Sequence, residues 1–294
     1  MKKYLSIALL AATIVLNAQV TANRFFYELT FKPKQDSTKV EKVMTILDIT
    51  KDKSLYRDYT LVAQDSIMKI AVEEMQKSGA FKDLSKTITM PKFGYKVEKE
   101  YPAMKETYSD RISSGFTPMQ IAYTEEPKFN WKISNDKEKI GDYNTQKATT
   151  EYGGRQWTAW FSTDLPFQDG PYKFAGLPGL IVKVEDSAKN YSWLLRGNKK
   201  VENFQELSYA ETITPGGAGK LTVIPRDKFE KTLAEYKKDP FATMRPMLTK
   251  EMMDRKMPGM DGTIGDMLKK QEKMTRDFYD ANNNPIEMYS PSKK

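Results

Sequence analysis

From residue 130 to residue 195 the side chains alternate between two faces, and glycine or proline interrupts the pattern every few positions. Residues 156–162 show it best: Trp157, Ala159 and Phe161 fall on one side of an extended chain, Thr158, Trp160 and Ser162 on the other. Successive side chains of a strand point to opposite faces, whereas a helix brings residues three and four apart into line. Residues 130–134, 147–152, 180–184 and 191–195 also read as strands, separated by Gly153-Gly154, Asp169-Gly170-Pro171, Leu177-Pro178-Gly179 and Asn190. Proline fixes φ near −65° and glycine tolerates positive φ, so Pro178-Gly179 predicts a type II turn. Upstream, residues 24–32 and 42–50 alternate around a polar 33–38 and predict a hairpin; residues 87–101 return to strand-like alternation. Many short strands with turn signals between them predict one mainly antiparallel sheet, curved or partly closed.

Helical spacing is confined to a few places. Ile67, Ala71 and Met75 line up ahead of Gly79, and residues 226–237 and 264–279 each carry an apolar stripe. Pro240, Pro246 and Pro258 forbid one continuous C-terminal helix. The expected class is α+β: a β domain over residues 19–200, and a helical, methionine-rich segment over 201–294 packed on it. One cooperative unit is expected. A separable C-terminal lobe beyond the Gly216–Gly219 loop is the alternative.

The first 18 residues have the layout of a secretory signal peptide: Lys2 and Lys3, an apolar run over 5–16, then small or polar residues, with cleavage after Ala18 or Ala22. That run is too short to span a bilayer as a mature helix, which takes about 20 apolar residues, and no later stretch reaches that length. An exported protein is expected, periplasmic or outer-membrane-associated, or extracellular. Cysteine and histidine are both absent. Lipid attachment through cysteine, disulfides, Ser-His-Asp and Cys-His catalysis and histidine-ligated zinc are therefore excluded. The net charge of +8 is spread along the chain. Without a clustered basic stripe it predicts no nucleic-acid partner.

One stretch stands apart. Gln146-Lys147-Ala148-Thr149-Thr150 is followed by Trp157-Thr158-Ala159-Trp160-Phe161, and then by Gly170-Pro171-Tyr172-Lys173-Phe174-Ala175-Gly176-Leu177-Pro178-Gly179-Leu180-Ile181. The sequence here resembles the GLPGLI family, exported proteins of Bacteroidota-type bacteria named for the hexapeptide 176–181. The resemblance implies a periplasmic or surface location and no particular chemistry. Thr145 stands where family members often carry a cysteine, so no thiol role transfers.

Two readings of the motif follow from its residues. Architecturally, Gly176 and Gly179 permit close backbone approach while Leu177, Leu180 and Ile181 fill core. Functionally, Trp157 and Trp160 cannot both serve a one-layer core, and the exposed one, with Arg155, Tyr172 and Phe174, would wall a groove for an amphipathic ligand. The favoured expectation is a non-catalytic, chaperone-like binding role for a peptide, an outer-membrane protein or another envelope partner, with no cofactor. Met244-x-x-Met247 and Met257-x-x-Met260 offer thioethers to Cu(I), so a copper-binding protein is one alternative. A carboxylate-dependent hydrolase is another, although no spacing among Asp164, Asp169, Glu185 and Asp186 singles out a pair.

Overall fold

The computed structural model describes residues 20–35, 37–79, 88–89, 91–114, 117–213, 221–256 and 262–288. The signal segment, the Gly216–Gly219 loop, Met257 and Met260 lie outside the described residues. Twelve strands form a single sheet: β1 (Ala22–Phe31), β2 (Glu41–Ile49), β3 (Lys53–Asp58), β4 (Lys96–Glu100), β5 (Lys105–Ser114), β6 (Thr117–Glu125), β7 (Lys132–Ile140), β8 (Tyr143–Tyr152), β9 (Arg155–Ser162), β10 (Leu180–Asp186), β11 (Tyr191–Val201) and β12 (Thr222–Val223). Their order is β12-β6-β5-β4-β3-β2-β1-β11-β10-β9-β8-β7. Only the β12–β6 pairing is parallel.

This is two meanders joined where β1 and β11 pair antiparallel over their full lengths. A bulge between Phe26 and Tyr27 leaves Arg196 unopposed, which increases the local twist. The sheet is open, which corrects the partly closed alternative: β7 and β12 each pair along one edge. The free edge of β7 carries Lys132, Asp136, Lys137, Glu138 and Lys139, and charge on an edge strand opposes further strand addition.

Alternation puts Phe25, Tyr27, Leu29 and Phe31 of β1 on the inner face, where they join Leu47, Ile49, Val97, Trp157, Phe161, Val184 and Trp193 in one core. Among the described residues, no helix side chain belongs to this core. It is filled by the β9–β10 connection, through Tyr172, Phe174 and Leu177, and by Ile286 near the C-terminus.

The helices are α1 (Thr60–Ala63), α2 (Asp65–Ser78), α3 (Tyr209–Ile213), α4 (Arg226–Lys238), α5 (Lys250–Asp254) and α6 (Ile264–Ala281). Gly79 ends α2 in the left-handed region at φ 66°, and a Thr263–Asp266 capping box starts α6. Phe229 of α4 meets Tyr108 and Tyr123 edge-on, with ring centroids 5.6 and 4.9 Å away. None of the helices is long and apolar enough to cross a membrane among the described residues.

Three strands, β3, β5 and β6, were not anticipated. β3 is buried on both faces, so Ser54, Arg57 and Asp58 are interior and its hydropathy does not alternate. β5 reads Lys-Glu-Thr-Tyr-Ser-Asp-Arg-Ile-Ser-Ser, too polar to register as a strand until its partners are known. Conversely, among the described residues of 87–101, strand extends only over β4.

Candidate functional site

The β9–β10 connection carries the distinctive motif across the inner face. Of the two glycines expected to permit close backbone approach, Gly179 does so and Gly176 does not. Gly176, not Gly179, takes the positive φ, at 86°, and has open space where a side chain would stand. A Cβ on Gly179 would lie 2.2 Å from the Ser162 carbonyl oxygen. The type II turn at Pro178-Gly179 is thus corrected: Gly179 is required for close approach, and Gly176 for handedness. Gly170 is equally crowded, with Ile181 Cδ1 2.8 Å from its missing Cβ. Pro171, Leu177, Leu180 and Ile181 are buried; Pro178 is exposed.

Of the residues expected to wall a groove, Arg155, Trp157, Tyr172 and Phe174 are interior, which corrects that placement. Trp157 donates its indole N–H to the Tyr152 carbonyl at 2.8 Å and meets the Phe174 ring edge-on at 4.7 Å. Tyr172 stacks on Trp193 at 6.2 Å. The reason is the strand parity itself, which aims Trp157 at the core. Trp160 points the other way and is half-buried on the outer face. There it is directly opposite Lys147 on β8 and Lys183 on β10.

Beneath the motif lies a buried polar cluster. Across three strands, Lys99 is opposite Glu106, and Glu106 is opposite Glu125. The motif loop brings Asp169 and Lys173 onto this row. Lys99 Nζ donates to Asp169 Oδ1 at 2.5 Å, to the Gly170 carbonyl at 2.8 Å and to the Phe174 carbonyl at 3.2 Å. Tyr101 donates to the other Asp169 oxygen. Lys173 Nζ donates to the Tyr123 hydroxyl at 2.7 Å, to Glu125, and to Glu287 Oε1 at 2.6 Å, with the rings of Tyr108, Tyr123 and Tyr172 within 5.5 Å. Each ammonium has three protons, and all are used. Neither lysine offers a free amine, and their carboxylates are held by cations. Burial works against the charge on Lys173, but the facing Glu287, the tyrosines and Glu125 outweigh it and hold the ammonium well above its ordinary value.

Glu106 is the exception. It is 1 % exposed, and its Oε2 has no hydrogen-bond partner among the described residues. Lys99, Lys173 and Arg226 already balance Asp169, Glu125 and Glu287. Burial drives the Glu106 carboxyl well above its ordinary range; Lys99 and Lys173 pull it down, Glu125 and Asp169 push it further up, and the net shift is upward.

A strap over residues 284–288 closes the other side. Arg155 donates to the carbonyls of Pro285 (2.7 Å) and Ile286 (2.9 Å) and to Asn284 Oδ1 (2.9 Å), while its Nη1 holds Asp186 at 3.1 Å. The Tyr191 hydroxyl donates to the Asn284 carbonyl. Glu287 receives Tyr172 at 2.6 Å, Lys173 at 2.6 Å and Arg226 at 2.5 Å. Burial pushes its carboxyl up, but Lys173 and Arg226 outweigh that and hold it at about 2.

Lys99, Glu106, Glu125, Lys173, Arg226 and Glu287 come from six separated places, and no spacing links them. Lys173, a lysine set between two motif aromatics, is the one legible hint. The carboxylates noted in the sequence do not pair with one another: Asp169 is held by Lys99, Asp186 by Arg155 and Glu185 by Lys183. Met244 and Met247 flank a single 3-10 turn, where Met247 is exposed and Met244 half-buried.

Residues 153–183 match the model of a family described as a protein of unknown function, Porph_ging. No curated protein matches the chain. Among solved structures, one described as PNGF-II in a C2 space group aligns at TM-score 0.50 and 15% identity, covering 74% of this chain and 33% of that one. A second, PNGF-II in a P21 space group, aligns at 0.48 and 14%, covering 74% and 34%. The chain spans about one third of the length of these structures. The likeness is one of fold: a mostly antiparallel, open sheet with some helices.

Proposed function

We propose that this is an exported envelope protein of the GLPGLI type that binds an amphipathic partner, and that it binds on the outer face of the sheet around Trp160. The observation that carries the reading is a cross-strand row on that face: Lys147, Trp160, Lys183, Leu194, Glu28 and Met44, one residue from each of six adjacent strands. At the strand spacing of about 4.8 Å the row is roughly 24 Å long. It alternates charged and apolar side chains on the face opposite the core. An indole between two lysines offers flat apolar area and polar rims, the pattern of a contact surface. A periplasmic or surface location comes from the leader and from the motif's family resemblance.

The test compares wild type, Trp160→Ala and the doubly substituted Lys147→Ala/Lys183→Ala as baits on the native envelope extract, with unfolding midpoints measured in parallel. A partner retained by wild type and lost with Trp160→Ala at unchanged stability is the expected result. Recovery of the same proteins by all three baits would sink the reading.

A further inference from the structure

The strap at residues 284–288 is held as a bound peptide is held. Asn284 donates its backbone N–H to the Pro33 carbonyl at 3.0 Å and its side-chain amide to the Lys32 carbonyl at 2.9 Å. Ile286 enters the core, and Met288 donates its N–H to the Gly153 carbonyl at 2.7 Å. A Cβ on Gly153 would lie 3.0 Å from Glu287 Cα, so glycine is needed for the strap to pass. Gly153, Arg155, Tyr172 and Lys173 all belong to the segment 153–183 that matches the family model.

The receiving cations have other partners. Without the strap, Arg155 keeps Asp186, Lys173 keeps Glu125 and the Tyr123 hydroxyl, and Arg226 keeps Glu125 and Glu230. Each cation therefore retains a carboxylate outside the strap. Preorganisation of this kind distinguishes a receptor from a core that exists only when complete. An open hollow of about 550 Å³, lined by Lys34, Gln35, Ser37 and Asn283, adjoins the strap's N-terminal end. It leaves room for a longer ligand.

We infer that this is a peptide-acceptor slot for a partner segment of the form Asn-Pro-aliphatic-Glu, and that the chain's own C-terminal strap is its resident occupant. Arg155 and the Lys32 carbonyl read the Asn side chain, the core socket takes the aliphatic side chain, and Lys173 with Arg226 takes the carboxylate. The slot is on the inner face, separate from the Trp160 surface, so either site can fail alone. A tethered strap competes at an effective concentration of about millimolar, so a partner segment enters as the strap leaves.

The test uses the full chain carrying Ile286→Asp, which puts a carboxylate in place of the side chain that enters the core, and Glu287→Lys, which reverses the charge offered to Lys173 and Arg226. A fluorescent peptide of residues 282–288 is titrated against it. Saturable binding is expected, weakened about tenfold or more by Glu→Gln in the peptide or by Arg155→Gln in the protein, and about tenfold or more weaker to wild type. A folded variant that takes up no peptide overturns the inference. So does a variant that forms a heterodimer with wild type instead, which assigns the slot to a second copy. If the double variant does not fold, hydrogen exchange on wild type decides. The Met288 amide is expected to exchange at least about tenfold faster than core amides of β10. Exchange only by global unfolding makes the strap ordinary core and removes the proposal.

Discussion

Gly176 and Gly179 are three positions apart and answer to different constraints, so their substitution by alanine separates them. Gly179→Ala drives a methyl into the Ser162 carbonyl, and a loss of about 3 kcal/mol or more is expected. Gly176→Ala has space but must hold φ at 86°, at about 1–2 kcal/mol. Urea midpoints of the two variants check the order. Glu106 sets a pH dependence. Its folded-state affinity for a proton exceeds that of the unfolded chain. The stability it contributes is therefore complete below the unfolded carboxyl value, about 4.3, and is lost as pH rises above it. Glu106→Gln keeps a neutral side chain of the same shape. It is expected to remove a slope of up to about 1.4 kcal/mol per pH unit above the unfolded carboxyl value, read from unfolding at a series of pH values.

At the scale of elements, β9 shows what alternation can and cannot decide. The strand and its two faces were legible in Trp157, Ala159 and Phe161 against Thr158 and Trp160. Which face was core was not, because both carry a tryptophan. Trp157→Ala is expected to cost about 3–5 kcal/mol, and Trp160→Ala about 1 kcal/mol or less; denaturant unfolding measures both. The strap was not legible at all. Asn284 to Met288 has no periodicity, and its hold comes from Arg155, Tyr191, Lys173 and Arg226, 58 or more positions away in sequence. Glu287→Gln is expected to destabilise by about 3 kcal/mol at neutral pH, since it weakens a buried ion cluster. Because folding holds Glu287 at about 2, that stability is present above the unfolded value and is lost as pH falls from about 4.3 toward 2. The variant should lack this part of the acid limb.

For the whole molecule, the two ends of the chain meet in one sheet and one core. β1 pairs with β11, β12 joins the far edge beside β6, and Ile286 reaches the central core. A single cut within Gly216–Gly219 is therefore expected to leave two fragments that co-elute under native conditions. Separate elution of a stable N-terminal fragment would show an independent C-terminal lobe. Glu211 adds to the acid limb at this scale. Burial pushes its carboxyl up, but Lys96 and Arg111 hold it at about 2, which ties the 209–213 helix to β4 and β5.

Taken alone, the sequence determined the antiparallel strands with clear alternation, the helices that end at glycine or carry an apolar stripe, and the absence of thiol and imidazole chemistry. Each of these depends on side chains within a few positions of one another, or on composition. Tertiary structure decided that the sheet stays open, that β3 and β5 are strands despite their polar side chains, and that Arg155, Tyr172 and Phe174 are interior. It also decided that Lys99, Glu106, Lys173 and Glu287 share one buried site. Those outcomes depend on which distant strands become neighbours, and the burial that turns a charged residue into a site exists only once they do.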